Sequence, residues 1–121
     1  MYSYCKYWKA DVPAIINPKE CYSIITTGLL ENLDIKCNNV KFIREQIILL
    51  GKYVNIIGKI KRFDFNLQFN LLHHDVFIVN NETPLLLFGQ DWISRYNVQC
   101  NSTCTHLYIN YLQGKVCVPV Y

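Results

Sequence analysis

The stretch that most limits what this chain can fold into is Leu85-Leu86-Leu87-Phe88-Gly89-Gln90-Asp91-Trp92-Ile93-Ser94-Arg95-Tyr96-Asn97. Four consecutive large apolar residues are too few to span a membrane and suit a strand buried on both faces, and Gly89 permits a tight exit. A short helix is expected next, over Gln90–Tyr96. Helical spacing places Trp92, Ile93 and Tyr96 inward and leaves Gln90, Ser94 and Arg95 for solvent. Asp91 then reads as an ordinary first-turn acid, favoured by the helix dipole.

The rest of the chain must pack around this element, and most of it has β character. Tyr2–Trp8 alternates loosely and is rich in aromatics; Lys9-Ala10-Asp11 reads as a turn, and Val12–Ile16 as a second strand running into the turn chemistry of Asn17-Pro18-Lys19-Glu20. The pattern then changes. Ile24, Ile25, Leu29, Leu30 and Leu33 recur at helical spacing, and Gly28 restricts the expected helix to about Thr27–Leu33. Beyond an Asn38-Asn39 turn, Val40–Leu50, Tyr53–Lys61 and Phe63–Leu71 are strand-like, with Gly51-Lys52 as a hairpin turn and Gly58 as a bulge or close-approach point. Phe63, Phe65, Leu67, Phe69 and Leu71 alternate with polar residues, as in a strand with one wet face. Asp75–Val79, His106–Tyr111 and Lys115–Tyr121 complete the strands, with turns at Asn80–Pro84, Asn101–Thr103 and Gln113-Gly114. This order predicts a single mostly-β, barrel-like domain over residues 1–121.

Composition narrows the function classes. Hydrophobic residues make up 51% and charged residues 17%, a balance that favours some apolar surface being covered by a second chain. A net charge of +3 is too small to mark a dedicated nucleic-acid binder, and Lys59, Lys61 and Arg62, the densest basic cluster, read as solvated strand charges. No apolar run reaches the roughly 18 residues of a membrane helix. The N-terminal segment also lacks a secretory apolar core, so a cytoplasmic or nuclear setting is expected. The cysteines at 5, 21, 37, 100, 104 and 117 contain no CxxC pair and read as reduced thiols. Cys100, Cys104 and His106 do not complete a zinc site, and His73-His74 sends one ring to each face of a strand, so neither a metal nor a cofactor is expected.

Two segments together resemble a known family. Leu86–Asn97 looks like the apolar-apolar-Gly-x-Asp-Trp-Leu segment of retropepsin-like aspartic proteases, especially those of gypsy-type LTR retrotransposons. Upstream, Ala14-Ile15-Ile16-Asn17-Pro18-Lys19-Glu20-Cys21-Tyr22-Ser23-Ile24-Ile25-Thr26 is similar to their active-site segment, and Leu29–Ile35 to the short helix that follows. Gly51 and Gly58 fall where a flap hairpin and its trailing strand would place glycines. The resemblance covers nearly the whole chain and implies a closed-barrel acid-protease protomer with two short helices.

The same alignment puts Asn17 at the place of the catalytic aspartate, Pro18 at that of the hydroxyl residue and Lys19 at that of the glycine. The chemistry implied by the family needs two aspartates sharing a proton, one from each protomer of a dimer. An amide does not take up that proton at neutral pH, Pro18 offers neither hydroxyl nor N–H, and Lys19 adds a side chain where backbone must approach closely. A second register, with Thr26-Thr27-Gly28 as the active-site triplet, also lacks the aspartate and leaves too little chain for the helix.

The expectation is therefore a proteolytically inactive domain that dimerises and binds protein or peptide. Ile16, Asn17 and Pro18 would form the cleft wall, and Tyr53, Val54, Ile56 and Ile57 the flap. Tyr2 and Tyr4, with the alternating tail residues Val116, Val118 and Val120, would form the homodimer interface. The alternatives are an active aspartic endopeptidase of a retroelement polyprotein and a monomeric structural or RNA-contacting module.

Overall fold

The computed structural model describes residues 2–7, 10–34, 40–49, 51–67, 70–103, 105–111 and 114–120. Its larger sheet contains β1 (Tyr2–Tyr7), β2 (Ala10–Ile16), β3 (Ile24–Thr26), β4 (Val40–Leu49), β5 (Lys52–Leu67), β6 (Asn70–Val79) and β7 (Leu86–Phe88). The strand order is β1-β2-β7-β3-β6-β5-β4, and the sheet curls until β1 also meets β5, at Lys6 and Asn66. Helix α1 (Thr27–Asn32) follows β3, and α2 (Gln90–Arg95) follows β7. Three further strands, β8 (Gln99–Cys100), β9 (His106–Tyr111) and β10 (Gly114–Pro119), form a second sheet ordered β10-β9-β8. The expected mostly-β barrel with two short helices is what the chain adopts.

The Leu85 stretch lies at the centre. Strand β7 runs parallel to β2, with Ala14, Ile15 and Ile16 opposite Leu86, Leu87 and Phe88, and antiparallel to β3. A strand hydrogen-bonded on both edges and covered on both faces needs apolar residues at every position, which is why this run does not alternate. Leu86, Leu87 and Phe88 are all buried. From there an aromatic stack continues into the helix: Phe65 to Phe88 at 4.9 Å, Phe88 to Trp92 at 4.6 Å and Trp92 to Tyr96 at 6.1 Å between ring centroids. Tyr96 then donates its hydroxyl to the His73 carbonyl at 2.6 Å, which fixes the end of α2 to β6.

Several boundaries differ from the sequence reading. The proposed strands Tyr53–Lys61 and Phe63–Leu71 are one strand through Leu67, and Leu71 belongs to β6. A bulge holds β5 continuous: Arg62 adopts φ 57°, and its N–H donates to Asp75 Oδ1 at 2.9 Å. Since the chain reverses after Leu67, Leu71 loses the inward parity of Phe63, Phe65 and Leu67 and is 55% exposed. Ala10 and Asp11 are strand residues rather than turn residues, and β6 begins at Asn70, ahead of the expected Asp75. Gly58 does mark an irregularity, where the β5–β6 register shifts between Ile56 and Gly58, and Gly51 turns the β4–β5 hairpin at φ 75°. Asn38, Asn39, Phe69 and Gln113 lie outside the described residues.

Gly28 was expected only to weaken its helix. Instead it sits where the 80–84 loop crosses α1: its N–H donates to the Asn81 carbonyl at 2.9 Å, and a Cβ there would overlap the Glu82 carbonyl. The helix tolerates a poor former because tertiary contact requires it.

Candidate functional site

The loop linking β2 to β3, residues 17 to 23, passes over the end of β7. Asn17 opens it, with its N–H donating to the Phe88 carbonyl at 3.0 Å, so the residue sits at the C-terminal ends of two adjacent parallel strands. Its Oδ1 accepts the Lys19 N–H at 3.0 Å, and its carbonyl accepts the Glu20 N–H at 3.2 Å. This is an Asx turn, the local device by which asparagine replaces a backbone turn partner. Asn17 is half-buried, whereas Pro18 and Lys19 are exposed.

The alternative triplet has a different role. Thr26 is fully buried; its hydroxyl donates to the Thr83 carbonyl at 2.7 Å and accepts the N–H groups of Leu85, at 2.9 Å, and Leu29, at 3.4 Å. It caps α1 and ties it to the 83–85 segment. A threonine committed to three backbone groups is a structural hinge pin, not a cleft residue.

The 17–23 loop is fastened to the turn between β7 and α2. The first N–H groups of α2 lack intrahelical partners, and Gly89 supplies no side-chain cap. The loop carbonyls serve instead: Gln90 N–H donates to Glu20 O at 2.7 Å, and Asp91 N–H to Cys21 O at 3.2 Å. This approach explains Gly89, since a Cβ there would lie 2.6 Å from the Tyr22 carbonyl oxygen and 2.7 Å from that of Glu20. Asp91 completes the joint. Its Oδ1 accepts the Ser23 hydroxyl at 2.7 Å and the Trp92 N–H at 2.8 Å, and its Oδ2 accepts the Ser23 N–H at 3.1 Å. The Ser23 hydroxyl in turn accepts the Gly89 N–H at 3.1 Å. His74, projecting inward from β6, places Nε2 3.2 Å from Asp91 Oδ2.

From sequence, Asp91 is a first-turn helix acid and one ring of the His73-His74 pair turns inward; that the inward ring is His74, and that it meets Asp91, follows from neither residue type nor spacing. Serine, histidine and aspartate together suggest a nucleophilic triad, but the order is wrong. The carboxylate lies between hydroxyl and imidazole, so the ring does not face the Ser23 proton, and Ser23 is fully buried. The cluster is a joint.

Burial works to raise the Asp91 pKa, but the His74 ring beside it and the hydroxyl and N–H donors of Ser23 outweigh it and hold the carboxyl below its ordinary 3.8. A depressed carboxylate stabilises the fold above the unfolded-state value and loses that contribution as pH falls through the folded one. Chemical denaturation between pH 7 and pH 3 should therefore show an Asp91→Asn variant less stable near neutrality. The gap to the parent should shrink once the pH drops below about 4; a gap constant with pH would remove the carboxylate's role.

The other expected site residues are placed unevenly. Ile16 and Ile56 are core side chains, the first in the main cluster and the second in a smaller one with Ile24, Ile47, Leu49, Val79 and Leu87 beneath the β4–β5 hairpin. Tyr53 is 74% exposed, Ile57 is exposed and Val54 is half-buried against the smaller cluster. Period-two alternation splits the predicted flap residues between the two faces of the hairpin. In the tail, Val118 is fully buried in the chain's own core, with Val116 and Val120 packed against it. Tyr2 and Tyr4 take part in β1, opposite Ile15 and Pro13; their side chains lie outside the described residues. Of the basic cluster, Lys59 pairs with Asp75 at 3.5 Å and Arg62 with Asp64 at 3.7 Å. The described residues contain no grouping of three metal-ligating side chains, and Cys104 lies outside them. No helix among them is long and apolar enough to cross a membrane.

No family model and no curated protein matches the sequence. Among solved structures, the chain is similar to the retroviral protease-like domain of Ddi1 from Leishmania major, with a TM-score of 0.71 and 17% identity over 98% of this chain and 90% of that one. At that identity the likeness speaks to architecture. Together with the β2-β7-β3 arrangement and the joint between its two motif segments, it shows that this chain has a retropepsin-like fold.

Proposed function

We propose that this chain is a retropepsin-like domain without peptidase activity, which binds extended peptide or protein segments and associates with a second copy of itself. The observation that carries this reading is the identity and setting of residue 17. The fold brings Asn17 to the end of β2 beside β7, where the resemblance places the catalytic aspartate, and its Oδ1 is engaged by its own turn. An amide neither accepts nor shares the proton that a two-carboxylate mechanism requires.

Two features support binding. Strands β4 and β10 each lie at an edge of their sheet among the described residues, and edge strands can receive an added strand. The outer face of the β4–β5 hairpin also carries exposed Ile48, Tyr53 and Ile57. Self-association through β10 would use its backbone edge, because the Val118 side chain is committed to the core.

The test pairs cleavage with binding. Fluorescent extended peptides rich in apolar residues, incubated with the parent chain, Asn17→Ala and Asn17→Asp, should be bound but left intact by all three. Asn17→Asp alone should not restore hydrolysis while Pro18 and Lys19 remain. Cleavage by the parent that disappears in Asn17→Ala would establish an active peptidase instead. Sedimentation of the intact chain tests self-association, and a monomer at all concentrations would refute that part.

A further inference from the structure

His74 is the buried histidine among the described residues, 6% exposed, and it lies outside any role the proposed function gives the site. Among the described residues neither ring nitrogen has a well-directed hydrogen-bond partner, although Nε2 is within ion-pair distance of Asp91 Oδ2. A neutral ring in that position gains little from the carboxylate, because a hydrogen bond depends on direction. An imidazolium also meets the carboxylate as a charge, an attraction that acts through distance and needs no alignment. The carboxylate it faces is the one that holds Ser23 by both hydroxyl and N–H, and hence the end of the 17–23 loop.

We propose that His74 is a charge-dependent latch on the 17–23 loop. When protonated, it pulls on Asp91 and tightens the Asp91–Ser23 joint; when neutral, it leaves the loop held by hydrogen bonds alone. The charged groups around it allow this coupling. From α2 the facing group is Asp91. On β6 itself the neighbouring Asp75 adds a weaker attraction, already shared with Lys59 and the Arg62 N–H of β5. The β5 residue opposite His74 is Phe63, which carries no charge. His73, one residue away, faces outward to Arg95 at 3.2 Å and serves as the internal control. The inference does not depend on whether the loop binds peptide.

Amide hydrogen exchange read by NMR tests it, with rates normalised to the intrinsic exchange rate at each pH and with His74 protonation followed through its own ring resonances. In the parent chain, protection of the Ser23 and Gly89 amides should fall by about fivefold or more as the His74 ring loses its proton. Amides of Leu107 and Ile109, held in the second sheet and not bonded to the 17–23 loop, should not share that step. The step should vanish in His74→Gln and persist in His73→Gln. Protection that does not track the His74 ring in the parent chain overturns the proposal without reference to any variant, as does an unchanged step in a folded His74→Gln.

Discussion

Replacing Gly89 with alanine should destabilise the domain by about 3 kcal/mol or more, a large share of the roughly 5–15 kcal/mol that holds a domain of this size together. The backbone conformation is not the reason, because φ at Gly89 is −100°, open to any residue. The reason is the approach of the loop. The two nearest atoms that a Cβ would meet are backbone carbonyl oxygens, Tyr22 at 2.6 Å and Glu20 at 2.7 Å, and neither can swing aside as a side-chain tip can. Relief requires the loop to retreat, which stretches the Gln90–Glu20 and Asp91–Cys21 bonds and the Ser23 contacts together. Denaturant unfolding gives the energy, and amide exchange at Gln90 and Asp91 gives the location. If Gly89→Ala unfolds at the same denaturant concentration as the parent, the close approach is not a constraint.

Trp92→Ala should cost about 3–5 kcal/mol, the range for removing a large aromatic side chain from a packed core. Trp92 is completely buried and joins Phe88 of β7 to Tyr96 at the end of α2. Its loss opens a cavity between the central strand and the helix that braces the 17–23 loop. Trp92→Phe retains part of the stacking on Phe88 and should recover a substantial part of the loss. The indole Nε1 has no hydrogen-bond partner among the described residues, so the side chain contributes through packing and not through its N–H. A Phe variant no better than Ala would contradict that division.

The two motif segments were legible because both depend on local pattern. An unbroken apolar run bounded by Gly89 reads as a doubly buried strand, and Trp92, Ile93 and Tyr96 repeat at helical spacing; each survives in the folded chain. Periodicity failed where one residue changes the parity of a strand. Nothing local shows that Arg62 takes φ 57° and is held by Asp75, so the sequence pattern splits β5 in two and puts Leu71 on the wrong face. It failed again at the predicted binding residues, because being adjacent on a strand places side chains on opposite faces: Ile56 went to the core and Ile57 to solvent.

By itself, the sequence determined which chemistry residue 17 can offer. Asparagine has no ionisable oxygen, and no folding event gives it one. It also determined that Leu86–Phe88 must be covered on both sides, because successive strand residues face opposite ways and all three here are apolar. Only the tertiary structure decided how the two segments are joined. Ser23 and Asp91 lie 68 positions apart, and no local preference of either residue encodes the meeting. Their contact exists because β7 inserts between β2 and β3, which carries the Gly89 turn beneath the 17–23 loop and brings the buried His74 of β6 to the same carboxylate.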